Sequence, residues 1–447
     1  MPQPQPRPLT MLDPVAEALR QLHGELTPVL DGTLPDYIPE LSRADPNLFG
    51  MAVATPDGQV RTAGDATTLF TIQSISKPFV YALALADWGM EALLERVGAE
   101  PSGEAFNAIS LEEGTGRPDN PMVNAGAIVT TSLVEATDVA HRFERIRSLL
   151  SRFAGRELEL DEHVFASEWR SADKNRALAY LMRNAGSLTA EVDDALEVYF
   201  KQCSLLVNTT DLAVMSVTLA ANGINPITGD AVVTPDVARH VLTMMATCGL
   251  YDYSGEWMLR VGMPAKSGVS GGLIAASPGQ FGVGLFSPRL DERGNSVRAA
   301  QACQLLSDRY ELHALGHPDE SEPVVRPAAE VDRAMAVAGT ALPEPDTAVV
   351  TAQGDLMFAS TQTLLQHLLR LVERRGGDLR VLVLNLDRVT RLHRVGWGIL
   401  TPVLRQLADN GVAIVLVDGA CRALLDSVAE FATLPEALAW RPAAGAN

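Results

Sequence analysis

Several kinds of residue are scarce in this sequence, and each scarcity excludes a class of protein. Basic residues are a minority, because 36 Lys and Arg stand against 55 Asp and Glu among 447 residues, and the formal charge is −19. Clustered Lys and Arg supply much of the affinity for nucleic acids and for anionic membranes, so this balance argues against both partners. Four cysteines without a CxxC pair argue against a disulfide scaffold. No uncharged apolar run reaches the length of about 18 residues that a membrane span needs.

The N-terminal segment also lacks the apolar core of a signal peptide, because proline occupies every second position from 2 to 8. We interpret residues 1–14 as a Pro-rich, disordered leader. Without an export signal, and with few cysteines, the protein is expected in the cytoplasm.

The length predicts two or three domains of about 150 residues each. A stretch rich in Pro, Ala and acidic residues at 317–345 is interpreted as a linker, with one helix at 327–337. This linker separates a large domain at 15–316 from a small domain at 346–440.

The large domain has strand signals at its two ends and helix signals between them. Residues 48–64 predict a hairpin, because the segment Thr55-Pro56-Asp57-Gly58 supplies the φ angles of a tight turn. Three strand-like runs, PAKSGV, GGLIAAS and QFGVGLFS, follow between 264 and 287. We expect an α+β domain with one antiparallel sheet assembled from both ends and a helical part between.

The small domain alternates apolar strands with amphipathic helices. Strands are predicted at 348–354, 380–386 and 412–418, and helices at 361–375 and 398–410. This order predicts a small α/β sheet covered by helices.

The segment QSISKPF carries the strongest chemical signal. Ser74 and Lys77 are three residues apart, so a helix beginning near Ser74 would place them on one face. A lysine that burial keeps neutral can take the proton of a serine nucleophile. Many helices contain S-x-x-K by chance, so this motif alone leaves a purely structural role open.

Two further segments strengthen the chemical interpretation. The triplet Lys266-Ser267-Gly268 follows the serine in the order found in serine β-lactamases and penicillin-binding enzymes. Its glycine lets a substrate or the catalytic helix approach the strand backbone closely. Asn124, in the segment PDNPMVNAGA, either caps a helix or binds a polar ligand.

Residues 15–315 resemble the serine-dependent bacterial glutaminases, which have a β-lactamase-like fold. The resemblance lies in seven ordered segments: GEL–DYIPEL, QSISKPF, PDNPMVNAGAI, SEWRSADKNRALAYLM, YFKQCSL, CGLYDYSGEW and PAKSGVSGG. It implies hydrolysis of L-glutamine to L-glutamate and ammonia through a γ-glutamyl-serine intermediate, with Ser74 as nucleophile and Lys77 as its activating partner. It also implies dimers or tetramers. This chemistry needs no metal and no organic cofactor. The substrate site implied by the resemblance comprises Ser74, Asn124, Glu168, Asn175, Tyr199, Tyr251 and Val269.

These implied roles make physical sense for free glutamine. Glu168 can pair with the α-ammonium, and Asn124 and Asn175 can donate to the α-carboxylate. Tyr199 and Tyr251 are assigned catalytic roles as well, because their phenols can hold or relay a proton. Each residue alone has a structural alternative: a solvated helix acid, a helix cap or an aromatic ring at the edge of the core.

Residues 346–440 resemble the STAS family. The segment VVTAQGDLMFAS and the segment RVLVLNLDRVTRLHRVGWGIL carry the resemblance. Phosphorylated members have a serine after an aspartate at the start of the second helix, whereas this chain has Leu392-His393-Arg394-Val395-Gly396. We expect no phosphoserine there, and a regulatory partner or ligand of this domain remains an open possibility.

Two alternative functions remain from the sequence. One is a penicillin-recognising or other serine hydrolase, which shares the Ser and Lys pattern. The other is a catalytically silent scaffold that acts through the STAS-like domain.

Overall fold

Two compact units, Met1–Gly316 and His317–Asn447, divide the chain in a computed structural model. Each unit has its own hydrophobic core. The start of the predicted leader and the predicted linker helix at 327–337 lie outside the residues that the structure describes. The described residues are 13–35, 38–103, 111–112, 114–316, 325–326, 344–356, 358–417 and 429–440.

The first unit is built on an antiparallel sheet whose strands come from both ends of the unit, as predicted. The order of the five strands is β2-β1-β7-β6-β5, and β3 and β4 form a separate antiparallel pair. The hairpin turn between β1 and β2 is confirmed, because Gly58 has a φ of +83° and donates to the Thr55 carbonyl at 2.9 Å. The strands are β1 Gly50–Ala54, β2 Val60–Gly64, β3 Phe70–Thr71, β4 Leu206–Val207, β5 Ala265–Ser267, β6 Gly272–Ser277 and β7 Phe281–Phe286.

Helices occupy most of the chain between β3 and β5. Asp13 caps the first helix, which therefore begins at Pro14, the last residue assigned to the leader. Thr234 caps α10 with Pro235 in its first turn, as expected. The helices are α1 Pro14–Leu26, α2 Lys77–Trp88, α3 Met90–Leu94, α4 Asn124–Leu133, α5 Val139–Ala154, α6 Glu162–Arg170, α7 Asp173–Ala185, α8 Val192–Cys203, α9 Thr209–Ala220, α10 Pro235–Cys248, α11 Ser254–Arg260 and α12 Val297–Tyr310.

Helix α9 packs directly on the sheet, and two glycines of β7 permit this. A Cβ atom on Gly282 would lie 2.1 Å from the Val217 nitrogen, and one on Gly284 would lie 2.2 Å from the Thr209 carbonyl oxygen. The helix and the strand therefore meet backbone to backbone.

The second unit is a parallel four-stranded sheet in the order β11-β10-β9-β8, with helices between strands. The α/β prediction is confirmed, but β9 continues six residues beyond the predicted end at 386. This extension pairs with the end of β8, where Gln353 faces Arg388. The elements are β8 Thr347–Leu356, α13 Phe358–Arg375, β9 Val381–Leu392, α14 Arg394–Asp409, β10 Ala413–Val417, β11 Ala429–Phe431 and α15 Leu434–Ala439.

Within the described ranges of both units, no helix combines the length and the apolar character that crossing a bilayer requires.

Candidate active site

Ser74 lies in a tight turn between β3 and α2. Residues Gln73–Ser76 form a 3-10 turn, and α2 begins at Lys77 rather than at Ser74. Gln73 has a φ of +50°, a left-handed conformation that is unusual for a residue with a side chain. Pro78 occupies the second position of α2, where its missing N–H costs no helical hydrogen bond. The backbone thus places the buried Ser74 hydroxyl at a sharp corner.

The glycine-rich segment after β5 lies against this corner. A Cβ atom on Gly268 would lie 3.1 Å from the Ile72 carbonyl oxygen, and one on Gly272 would lie 2.7 Å from the Ile75 side chain. The close approach expected for the Lys-Ser-Gly triplet is therefore present. Val269, the next residue, does not line the cavity described below but is buried in one cluster with Ile38 and Leu41.

Lys77 is fully buried and begins a chain of polar contacts. Its Nζ donates to Asn124 Oδ1 at 2.7 Å, and the Tyr199 hydroxyl donates to the same oxygen at 3.2 Å. Asn124 Nδ2 donates in turn to Asn175 Oδ1 at 3.2 Å. Burial lowers the pKa of Lys77 to about 8, although the charges of Cys203 and Glu168 oppose this shift. About a tenth of this lysine is therefore neutral at pH 7.

Tyr251 lies beside two buried lysines. The Nζ of Lys266 is 4.0 Å from the centroid of its ring, and the Nζ of Lys77 is 5.8 Å from the same centroid. Burial raises the pKa of the Tyr251 phenol, and a hydrogen bond with the Ser74 side chain opposes that rise. Burial also holds the pKa of Lys266 well below its ordinary value, with a further contribution from the charge of Lys77.

Glu168, on α6, is buried and accepts a hydrogen bond from Gln73 Nε2 at 2.5 Å. Burial raises the pKa of Glu168 to about 7, and the hydrogen bond from Gln73 opposes part of this rise. The negative charge of Glu40 adds to the rise, whereas the positive charge of Lys77 reduces it. Glu168 thus changes its charge in the physiological pH range.

A cavity of about 210 Å³ brings most of the predicted residues together. This volume lies below the roughly 300–1,000 Å³ of pockets for drug-sized ligands, which favours a small ligand. Lys77 is connected to the cavity lining by its hydrogen bond to Asn124, and the Tyr251 ring lies beside Lys77. The cavity lining consists of Ile38, Gln73, Ser74, Asn124, Glu168, Ser171, Ala172, Lys174, Asn175, Tyr199, Phe200 and Cys203.

The sequence did not identify two residues of the site, Gln73 and Lys266, as functional. Gln73 directly precedes Ser74, and only the structure reveals that its side chain reaches Glu168 across 95 positions of sequence. Lys266 belongs to a motif visible in the sequence, but nothing in the sequence indicates that its side chain lies beside Tyr251.

Among solved structures, this architecture is that of a β-lactamase-like fold shared with glutaminases. The protein Mglu in its native form superposes with a TM-score of 0.78 at 39% identity, covering 92% of this chain and 100% of that chain. Mglu in its glutamate form gives 0.79 at 38% identity, covering 93% and 100%. The probable glutaminase ybaS gives 0.66 at 41% identity, covering 67% of this chain and 98% of that chain.

Sequence comparisons agree with the structural ones. The glutaminase of Corynebacterium glutamicum is 42% identical over 92% of this chain and 95% of its own length. Glutaminase 2 of Bradyrhizobium diazoefficiens is 43% identical over 90% of this chain, which spans only 65% of that relative. The glutaminase family model matches residues 32–315, and the STAS domain model matches residues 341–423. The chain therefore belongs to the glutaminase family and carries a STAS domain in its second unit.

In the STAS unit, residues 392–396 lie where β9 ends and α14 begins. Leu392 closes β9, and His393 directly precedes α14. The Nε2 atom of His393 is 4.0 Å from a carboxylate oxygen of Asp355, at the end of β8. A histidine and an acid thus lie close together near the ends of two neighbouring strands.

Proposed function

We propose that this protein is a glutaminase that hydrolyses L-glutamine to L-glutamate and ammonia through a covalent γ-glutamyl-serine intermediate. Membership of the glutaminase family supports the reaction. One observation carries the mechanism: a buried serine lines a small cavity beside a buried lysine with a lowered pKa, and the Nζ atom of that lysine is 5.8 Å from the centroid of the Tyr251 ring.

The acylation step uses Ser74, Tyr251 and Lys77. The Ser74 oxygen forms a bond with the side-chain amide carbon while Lys77, assisted by the Tyr251 phenol, takes the serine proton. Backbone N–H groups of Ser74 and Val269 stabilise the oxyanion. The same proton then passes to the amide nitrogen as the C–N bond breaks, so ammonia leaves and the acyl group stays on the serine.

Deacylation repeats these steps with water. A water oxygen attacks the ester carbon, the proton returns through Lys77 and Tyr251 to the serine oxygen, and glutamate leaves. Tyr199 shares the Asn124 oxygen with Lys77 and thereby holds the lysine in position.

Substrate recognition uses the opposite charges of a free amino acid. Glu168 as a carboxylate pairs with the α-ammonium, and the amide groups of Asn124 and Asn175 donate to the α-carboxylate. A shorter side chain would leave the reacting amide away from Ser74 when both α-groups are bound. L-asparagine is therefore a poor substrate.

The test is ammonia release from L-glutamine and from L-asparagine, with a Ser74→Ala variant in parallel. We expect release from glutamine alone and its loss in the variant, with an unchanged melting temperature. Turnover of glutamine by folded Ser74→Ala would refute the nucleophile. Acylation by a fluorescent penicillin without glutamine turnover would favour a penicillin-recognising hydrolase, and silence toward both would favour the scaffold.

Location, assembly and the role of the STAS unit complete the proposal. We place the protein in the cytoplasm as a dimer or tetramer, with a STAS unit that binds a regulatory partner or ligand. A glutaminase of Nostoc matches only 67% of this chain over 90% of its own length, which supports a regulatory rather than a catalytic role for the second unit. Light scattering on the full-length protein measures the assembly state.

A further inference from the structure

Two arginines hold the segment that runs from 27 to 47 alongside the cavity. The Arg298 guanidinium is buried and donates to the carbonyls at both ends of this segment, and Arg289 donates to two carbonyls beside them. The bonds from Arg298 reach Thr27 at 3.0 Å, Val29 at 2.7 Å and Asn47 at 3.1 Å, and those from Arg289 reach Gly32 and Pro46 at 3.3 Å each. The segment is therefore fixed at its two ends.

The middle of this segment faces the active site. Ile38 lines the cavity, and Leu41 packs in one buried cluster with Ile38 and Val269. Glu40 lies between these two anchoring residues. Its backbone position next to the cavity is thus set by hydrophobic contacts on either side.

The carboxylate of Glu40 is held in an unusual state. Its Oε2 atom is buried and accepts no hydrogen bond from any residue that the structure describes. Glu40 is also close enough to Glu168 for its charge to raise the pKa of that second carboxyl. Two acids so placed repel each other, and a buried carboxylate oxygen without a donor costs free energy.

A cation between the two acids would satisfy both. Lys77 already donates to Asn124. The α-ammonium of an amino acid carries three N–H donors, and one carboxylate cannot accept all three with good geometry. We propose that Glu40 is a second carboxylate that binds the α-ammonium of the substrate together with Glu168. This inference rests on the proposed glutaminase function and adds a residue that determines specificity for a free α-amino group.

The test compares Glu40→Gln with Glu40→Asp and with a matched control, Glu91→Gln, on the exposed surface of α3. The substrates are L-glutamine and 4-carbamoylbutanoate, which has the same reacting amide and carboxylate but no amino group. Assays run at pH 8, above the pKa of Glu168, so that its charge is the same in each variant.

We expect Glu40→Gln to raise KM for L-glutamine about tenfold or more, as for loss of a charged hydrogen bond, with kcat within about twofold. KM for 4-carbamoylbutanoate stays unchanged or falls, and Glu40→Asp restores part of the affinity for glutamine. A general structural defect would instead raise KM for both substrates. An unchanged KM for glutamine in Glu40→Gln, equal to that of Glu91→Gln, would overturn the inference.

A pH profile supplies a second readout. The charges that act on Glu168 come from Glu40 and Lys77, and Lys174 also lies on the cavity wall. The Cys203 thiol lines the cavity as well, but burial raises its pKa so that it stays uncharged in this pH range. The acid limb of kcat/KM has two steps, an upper one from Lys77 and a lower one from Glu168. Glu40 raises the pKa of Glu168, so its removal shifts the lower step to lower pH. A lower step that does not move would count against the inference. A wild-type protein that releases no ammonia from glutamine would refute the proposed function, whereas an active enzyme indifferent to Glu40 would refute this inference alone.

Discussion

Replacement of Lys77 by methionine tests the proposed proton acceptor most directly. Methionine is unbranched and fills nearly the same space, but it has no basic nitrogen. With a pKa of about 8, roughly one Lys77 in ten is neutral at pH 7. An ordinary lysine with a pKa of about 10.4 would be neutral in fewer than about one molecule in a thousand. Burial is therefore the main reason that enough Lys77 is neutral to accept the serine proton.

The expected loss follows from the role of the base. Positioned acid–base groups contribute about 100- to 10,000-fold to rate, or roughly 3–5 kcal/mol of barrier. We expect kcat of Lys77→Met to be lower than that of the wild type by a factor of about 100 to 10,000. The free energy of unfolding should change by about 1 kcal/mol, because Asn124 Oδ1 still accepts a hydrogen bond from Tyr199.

The assay is ammonia release at saturating glutamine between pH 6 and 9, together with thermal unfolding. The wild-type kcat should rise about tenfold per pH unit below pH 7 and level off above pH 8, because the neutral amine forms as pH rises. Lys201→Met serves as the control, since Lys201 pairs with Glu197 on α8 away from the cavity lining. A folded Lys77→Met enzyme with kcat within tenfold of the wild type would refute the role of Lys77.

Two further predictions concern the substrate pocket and the core. The hydrogen bond from Gln73 lowers the pKa of Glu168, so Gln73→Leu should raise that pKa. As the pH is lowered, KM for glutamine should then begin to rise at a higher pH in the variant than in the wild type. Superimposable curves of KM against pH would contradict this. Gly284→Ala places a Cβ atom 2.2 Å from the Thr209 carbonyl oxygen. It should lower the free energy of unfolding by about 2 kcal/mol or more, as measured by urea denaturation. Gly255→Ala, whose Cβ meets nothing within 4 Å, should not destabilise, and equal costs would refute the packing argument.

Much of the fold could be predicted because short segments of sequence determine its turns and helix ends. The hairpin turn that includes Gly58 depends on the φ preferences of adjacent residues. The helix cap at Thr234 likewise depends on a hydrogen bond between residues that are close in sequence. The extension of β9 could not be predicted, since its residues 387–392 are mostly polar and are held in the sheet by pairing with β8. Tertiary pairing overrides local preference there.

The site divides in the same way. Ser74 and Lys77 are visible as a motif because their spacing is local. Gln73 and Lys266 act through contacts with Glu168 and Tyr251, which are far away in sequence. Such contacts depend on the tertiary fold and leave no periodic pattern in the chain.

The pairing of β1 with β7 has a consequence for how this protein is made. It joins Ala52 to Gly284, so β1 has only β2 as a neighbour in the sheet until nearly the whole first unit has been synthesised. During translation at about 5–20 residues per second, the β1–β2 hairpin exposes an unpaired, apolar edge for many seconds. Gly268 and the turn that holds Ser74 lie far apart in that interval, so their close approach forms only after both have been synthesised. The nascent first unit therefore acquires its active site late, and it depends during that interval on protection from aggregation.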